Sequence, residues 1–480
     1  MHDTSHFARH GARFDPWPTR YDPAYRPNPT ERYWFPELET ADPRERDALI
    51  LFKLKSVVAY AWERSSFYKK KWQEAGVHPS SLKELSDLAK FPVVVKADLR
   101  RAQTKAPPFG DYLCVEPVEV ARVHGTSGTT GTPTLFGVDA EDWERIGNAH
   151  ARIMWAAGIR PSDSIFIGSF FSLYLGSWGV LKGAERLGAQ VLPFGAGVAG
   201  QTAVAVELMT RLRPTCFYGT PSYALRIAEV AREKGIDPKR DFNFRIMFFS
   251  GEPGASVPST KKLIKDTFGA SCIDMGSMAE MTPWMTDGEC DEEQGMHLWQ
   301  DIVYTEVCDP ATFMPVPYGA EGTPVYTHLE RTSQPMIRLV SGDLTQWTDE
   351  PCPCGRTYPR LPRGIYGRID DVVIIRGHNV TPSVVEDVVR STEGLAEEFK
   401  IVVTRTGALD EYTVHAEYTA TCASEADIAS LTQMLTERLT STVGLRPKVE
   451  LSPAGTLPRT EFKARRVTDE RQSTTTPPKS

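Results

Sequence analysis

Hydrophobic and polar positions fall into distinct textures along the chain. Across residues 43–61 apolar side chains recur at helical spacing, which predicts a helix. Residues 87–89 then lead into the apolar run Phe91-Pro92-Val93-Val94-Val95. From about Val118 the pattern becomes short apolar runs at 164–168, 189–193, 216–218, 245–250 and 271–275. Helix-like segments such as 141–157, 201–213 and 222–233 lie between them. This alternation predicts a large α/β N-terminal domain with parallel sheet, whose Gly-, Ser- and Thr-rich strand ends suit ligands. Residues 302–346 read as a β-rich subdomain. After Gly367 a small α+β C-terminal domain is expected, with strands at 372–375, 399–403 and 447–451 and helices at 382–391 and 425–442. The predicted organisation is an irregular arm over 1–30, a large domain over 31–367, a small domain over 368–467, and a disordered tail over 468–480.

Composition narrows the class. The 480 residues are 41% hydrophobic and 24% charged, which suits packed domains and excludes a mostly disordered chain. A net charge of −7 gives no basic surface for nucleic acid or anionic membrane. No stretch reaches the roughly 18 apolar residues of a membrane span, and residues 1–30 lack the apolar core of a signal peptide. Eight cysteines are too few for a disulfide scaffold, so a reducing cytoplasm is the expected compartment.

One segment carries chemistry on its own residues, His124-Gly125-Thr126-Ser127-Gly128-Thr129-Thr130-Gly131-Thr132-Pro133-Thr134. Its glycines allow tight turns that bring N–H groups to a ligand, and the hydroxyls of Thr126, Ser127, Thr129 and Thr130 suit phosphate oxygens. A strand-like run precedes it and a helix-like run follows. The Lys-Ser/Thr ending of a P-loop NTPase is missing, which excludes that class. Gly219-Thr220-Pro221-Ser222-Tyr223 has the pattern of a helix N-cap. Cys290, His297 and Cys352-Pro353-Cys354 supply the Cys₃His set of a closed structural zinc site, because a bridge between Cys352 and Cys354 would be strained. Cys114, Cys216, Cys272, Cys308 and Cys422 read as small core or surface residues.

Together with Tyr33-Trp34-Phe35-Pro36, Ser66-Phe67-Tyr68, Lys96-Ala97-Asp98-Leu99-Arg100 and Pro108-Phe109-Gly110, the Gly/Thr segment resembles the ATP-dependent, AMP-forming acyl-adenylating enzymes. Within them it resembles the phenylacetate–CoA ligase branch, from about Tyr33 to Val467. The resemblance implies that Thr126, Ser127, Gly128, Thr129, Thr130 and Gly131 hold phosphates and that Ser250-Gly251-Glu252-Pro253 lies against adenine. In Asp274-Met275-Gly276-Ser277-Met278-Ala279-Glu280, it makes Glu280 the adenosine-site carboxylate that binds Mg²⁺. Gly276 and Ser277 then stand where the family has an aromatic followed by Gly, so the aromatic is missing. Asp343 matches the ribose-binding acid, Arg368 a nucleotide-contacting cation, and Asp370 the hinge. Arg376-Gly377-His378 resembles the loop lining the CoA channel, and Lys463 the catalytic lysine, with Phe462 in place of the usual Gly. In part of this branch the residues matching Cys290, His297, Cys352 and Cys354 form a zinc site.

For the acid pocket the resemblance implies Phe170, Phe171, Tyr174, Gly176 and Trp178, with Phe194 and Gly195 opposite. Rings beside glycines fit a flat aromatic or arylacetic acid, and they fit core packing almost as well. The implied function is two-step. A carboxylic acid and Mg·ATP give an acyl-adenylate and pyrophosphate, and the small domain then swings so that CoA takes the acyl group. A carrier-protein thiol as acceptor, and a non-catalytic nucleotide-binding protein, are the alternatives; a monomer or homodimer is expected.

Overall fold

The short apolar runs of the large domain become neighbouring parallel strands, in the order Gln190–Leu192, Ser164–Ile167, Cys216–Gly219, Ile246–Phe249, Ser271–Gly276. Three antiparallel strands, Asp287–Glu289, Met296–Leu298 and Arg360–Leu361, extend this sheet at one edge. The computed structural model describes residues 11–126, 133–195, 200–276, 278–281, 285–376, 378–406, 409–422, 424–459 and 466–471. Within the parallel strands successive side chains enter opposite cores. Ile165, Tyr218, Phe248 and Ile273 join one, while Phe166, Phe217, Met247 and Cys272 join the other. A strand covered on both faces is apolar throughout, which is why these runs lack polar alternation.

The helices Gln201–Leu212, Pro221–Glu233 and Pro258–Phe268 supply the second core, and Pro43–Arg64 and Ala140–Ala156 the first. Asp42 starts Pro43–Arg64 by accepting the Arg44 N–H, and Asp139 starts Ala140–Ala156 by accepting that of Asp142. Ala140–Ala156 lies close against Gly176–Leu187. A Cβ at Gly179 or Gly183 would come within 2.6 or 2.5 Å of His150, so the approach requires glycine. A second sheet orders Val303–Cys308, Glu321–His328, Asp343–Gln346 and Gly367–Arg368.

Among the described residues of the N-terminal arm, 11–30 are irregular apart from a two-residue pairing of Ala12–Arg13 with Arg20–Tyr21. It is fastened over the large domain, with Trp17 Nε1 donating to Leu329 O at 2.8 Å and Tyr21 OH reaching Glu330. In the C-terminal domain the sheet order is Lys448–Pro453, Leu409–Tyr418, Leu395–Thr406, Val467–Asp469, covered by Pro382–Arg390 and Glu425–Val443. Two of these strands differ from the sequence reading. Leu409–Tyr418 went unrecognised although Tyr412, Val414 and Ala416 alternate into the core. Val467–Asp469 pairs in parallel with Ile401–Val403, so the order expected to end at 467 continues to Arg471, which bonds Asp410. The short segment 467–469 gains a fold from its partner strand, not from its own apolarity. Residues 472–480 lie outside the described residues. Among the described residues no helix is long and apolar enough to cross a membrane.

Candidate active site

The segments that follow the parallel strands meet at their C-terminal ends, the usual ligand position in such sheets. Thr220 accepts the Tyr223 N–H and caps Pro221–Glu233, as its N-cap pattern predicts. Glu252 is turned to the same helix end, where its carboxylate accepts the Ser222 N–H at 2.8 Å. The segment Ser250-Gly251-Glu252-Pro253 is thus pinned to the helix start by Glu252, leaving Ser250 and Gly251 toward Tyr174 and Tyr218. Ser250 Oγ and Tyr218 OH share a hydrogen bond of 2.7 Å, and Tyr174 bonds both groups. The hydroxyls of Tyr174 and Tyr218 lie 2.7 and 2.8 Å from where a Cβ on Gly176 would stand, so this corner admits only glycine. Burial pushes both phenols above their ordinary range, which keeps them neutral donors.

Phe170 packs on Tyr174 with ring centres 5.3 Å apart, and Phe171 meets Trp178 edge-on at 4.9 Å. Trp178 Nε1 donates to Ser172 O. Phe194 differs from its companions, because its ring stacks on Phe166 of the second core, at 5.2 Å. Gly195 is held by its N–H to Ile167 O and has Phe171 as the neighbour nearest to its missing Cβ.

The Gly/Thr segment emerges from a hairpin, and this corrects the expected strand–loop–helix. Val120–Gly125 pairs antiparallel with Leu135–Asp139, and only then does helix Ala140–Ala156 begin. Leu135, Phe136 and Val138 are apolar and bounded by Pro133, which favours a returning strand over a helix start. Thr126 N donates to Thr134 O at 3.0 Å, and Thr134 N to Thr126 Oγ1 at 3.1 Å. Gly125 N donates to Leu173 O at 3.0 Å, which ties the loop base to the aromatic stretch. Ser127, Gly128, Thr129, Thr130 and Gly131 lie outside the described residues.

Asp343 and Arg368 face each other across paired strands, with Arg368 Nη1 2.9 Å from Asp343 Oδ1. The same guanidinium bonds Asp370 through Nε at 2.8 Å, so one cation joins both acids. Burial works against the Arg368 charge, but Asp370 and Asp343 outweigh it and hold its pKa up. Glu280, on the turn Ala279–Met281, is buried with its carboxylate 3.2 Å from Lys96 Nζ. Lys96 lies in one of the motifs that carry the family resemblance, with no role implied for it there. Its signal was a cation at the first position of helix Lys96–Lys105, where the helix dipole disfavours positive charge.

Asp274 and Met275 are buried in their strand. The Asp274 N–H donates to Glu289, and burial with the nearby Glu289 pushes the Asp274 carboxyl well up. Gly276 pairs across the sheet with Asp287, whose Oδ1 lies 1.5 Å from where a Cβ at 276 would be. A side chain at 276, where the resemblance leads one to expect an aromatic, would therefore require Asp287 to move. Asp287 Oδ2 accepts from Thr286 Oγ1 and Tyr326 OH, and burial raises its carboxyl to about 6. Ser277, Gly377 and Lys463 lie outside the described residues. Arg376 bonds Asp410 O and Glu411, and His378 packs at Gly444, so both are held within the C-terminal domain.

The ligand atoms of Cys290, His297, Cys352 and Cys354 lie within 4.8 Å of one another, all buried. Cys290 Sγ and Cys352 Sγ are 3.8 Å apart, and Cys354 Sγ is 3.4 Å from His297 Nε2. A tetrahedron with metal–sulfur bonds of about 2.3 Å has edges of about 3.8 Å, so the spacing suits one small ion. The Arg356 N–H donates to Cys354 Sγ, and Tyr33 OH to Cys354 O.

Residues 69–326 match the AMP-binding enzyme family and residues 377–471 the AMP-binding enzyme C-terminal domain. The phenylacetate-coenzyme A ligase of Thermus thermophilus is 36% identical over 453 residues, covering 91% of this chain and 99% of that protein. Its counterpart in Escherichia coli K12 is 35% identical over 436 residues, covering 90% and 96%. This chain belongs to the phenylacetate–CoA ligase-like branch of the AMP-forming acyl-adenylating enzymes. It is an AMP-forming acid–CoA ligase that works through an acyl-adenylate.

The ligase also resembles 2-hydroxyisobutyryl-CoA ligase, solved in the postadenylation state with 2-HIB-AMP, at 51% identity and a TM-score of 0.93 over 96% of this chain and 98% of that one. The same enzyme, solved with 2-HIB-AMP and CoA in its thioesterification state, gives 0.74 at 52% identity, over 96% and 97%. At nearly equal identity, the ligase here follows the postadenylation structure more closely than the thioesterification one.

Proposed function

We propose that the acid activated by this ligase is a short hydroxy acid and not the arylacetic acid its aromatic stretch suggests. The observation that carries this reading is the polar corner of Tyr174, Tyr218 and Ser250 hydroxyls around Gly176. A substrate hydroxyl can join this mutually bonded set as donor and acceptor, whereas a flat ring makes no hydrogen bond with it. The 51% identical relative was solved with a hydroxyisobutyryl-adenylate, which agrees with that corner. Phe170, Phe171 and Trp178, and the phenylacetate ligases at 35–36% identity, favour an aryl acid as the second reading.

In the first half-reaction a carboxylate oxygen attacks the α-phosphorus of ATP, and the bond to the pyrophosphate oxygen breaks. The Gly/Thr loop from Thr126 to Gly131 cradles the departing phosphates, supported by its attachment to Leu173. Asp343 accepts the ribose hydroxyls, with Arg368 fixing its orientation. Ser250 and Gly251 border the adenine, and Gly276 leaves that face without a ring. Lys463 offsets the charge that gathers between carboxylate and phosphate. Glu280 would hold Mg²⁺, which neutralises phosphate charge when bound, and Lys96 occupies that carboxylate otherwise.

The domain then turns at Asp370. The CoA sulfur attacks the acyl carbon, AMP leaves, and Arg376 and His378 border the thiol's path. Cys290, His297, Cys352 and Cys354 would hold a structural zinc ion; four protein ligands close its shell and leave no position for substrate. A cytoplasmic setting keeps such thiols reduced.

Acid-dependent exchange of pyrophosphate into ATP tests the substrate. The expected result is strong exchange with 2- or 3-hydroxy acids of four or five carbons and weak exchange with phenylacetate, as orders of magnitude in kcat/KM. The reverse ranking would overturn the hydroxy-acid reading. Metal analysis is expected to find about one zinc per chain. Replacing Cys352 and Cys354 together with Ser should remove it and lower the thermal midpoint, because the metal binds only the folded state.

A further inference from the structure

The geometry points to Arg459 as a positioning residue that docks the segment leading to Lys463 onto the large domain during adenylation. This rests on the adenylation reading above and concerns residues outside the nucleotide and acid sites. Arg459 precedes Lys463 by four positions. Within the C-terminal domain its base is fixed twice by Glu417, which is fully buried. Glu417 accepts the Leu457 N–H at 2.6 Å and the Arg459 guanidinium at 3.0 Å. The same guanidinium reaches across to the large domain, where Nη2 lies 3.0 Å from Glu229 Oε1 on helix Pro221–Glu233.

This is the helix whose first turn is capped by Thr220 and Glu252, beside Ser250 and Gly251. One rigid element therefore connects the docking point of the lysine-bearing segment to the nucleotide corner. The bridge borders a cavity of about 400 Å³ between the domains, lined by Arg226, Glu229 and Arg232 on one side and Leu395, Glu397 and Arg459 on the other. Arg232 pairs with Glu397 across it at 3.4 Å. Farther along, Asp387 of the C-terminal domain accepts the Ser259 N–H at the start of helix Pro258–Phe268, and Glu386 accepts from Thr260 Oγ1, both at 3.0 Å.

Glu417 holds Arg459 within the C-terminal domain, whereas the Glu229 contact joins it to the large domain through Nε and Nη2. Its contribution exists only while the domains are docked this way. The relative's postadenylation state scores 0.93 against this structure and its thioesterification state 0.74 at like identity, so the contacts described here go with the first of these states. A pair present in one placement and absent in the other shifts the balance between them by its differential contribution. The Arg459–Glu229 bridge favours adenylation and must break before thioester formation.

The full-length variants Glu229→Gln and Glu229→Lys test this. Glu229→Gln removes the large-domain charge, and Glu229→Lys sets a cation against Arg459 and its helix neighbour Arg226. Each half-reaction is measured alone: acid-dependent pyrophosphate exchange, and acyl-CoA formation from synthetic acyl-adenylate plus CoA. Exchange is expected to fall about threefold in Glu229→Gln and tenfold or more in Glu229→Lys, with acyl-CoA formation unchanged or faster. Arg459→Lys, which keeps the charge, should retain most of the exchange. An equal fall in both half-reactions, or full exchange in Glu229→Lys, would overturn the inference. Absence of exchange in the unaltered enzyme with every acid would instead overturn the adenylation reading on which it rests.

Discussion

Lys463→Ala is expected to lower acid-dependent pyrophosphate exchange by about 10²–10³-fold, the scale of losing one preorganised charge at a reacting oxyanion. The reason lies in the charges of the first half-reaction, where a carboxylate approaches a polyphosphate. Electrostatic repulsion opposes the approach, and one ammonium between the two oxygens removes much of it. The acyl-adenylate carries less charge at the acyl carbon, and CoA attack on it does not need this cation. Acyl-CoA formation from synthetic adenylate is therefore expected to stay within about twofold of the unaltered enzyme. Equal loss in both assays would remove Lys463 from its assigned role. The contrast with Glu229→Lys is instructive, since there the lysine is intact and only its docking point is altered.

Glu39→Ala is expected to produce the largest loss of stability, about 3–5 kcal/mol, the usual cost of breaking a buried ion pair by removing one partner. Glu39 is fully buried and accepts from Trp34 N, Phe35 N, Arg152 Nε and Arg356 Nε, at 3.0 to 3.2 Å for the first three and 2.8 Å for the last. Removing the carboxylate leaves two guanidiniums in the interior. Arg152 retains Asp301, at 2.6 Å, whereas Arg356 keeps the neutral carbonyl of Arg32, at 3.1 Å, and the Cys354 side chain. Because the Arg356 N–H bonds Cys354, the damage should spread to the thiol cluster. The measurement is a denaturant midpoint with zinc content followed in parallel. A midpoint shift equivalent to less than about 1 kcal/mol would show that the network relaxes around the loss.

The parallel strands were legible because a strand buried on both faces leaves a local signature, a short wholly apolar run between turns. The runs at 216–218 and 245–250 needed no partner to be recognised, and the helices between them ended close to where apolar spacing ends. Leu409–Tyr418 carried an alternating pattern that passed unread. Val467–Asp469 carried almost none, since three residues are a strand only beside Ile401–Val403. The Gly/Thr loop was recognisable from composition, but its hairpin setting depended on Leu135–Asp139 pairing backward with Val120–Gly125.

The side-chain pairings of the site follow the same division. Asp343, Arg368 and Glu280 were expected at the site from the family resemblance, and Cys290, His297, Cys352 and Cys354 were grouped by residue type and spacing. That Lys96 rests on Glu280, that Asp287 fills the space beside Gly276, and that Arg459 reaches Glu229 join residues far apart in the chain. Such contacts leave no periodicity. The sequence by itself determined the fold class through its apolar runs and, through its family resemblance, the adenylate-forming chemistry. Tertiary structure alone decided which charges meet, how the hydroxyls of Tyr174, Tyr218 and Ser250 pair and that Arg459 reaches Glu229, because distance and burial set the strength of those interactions.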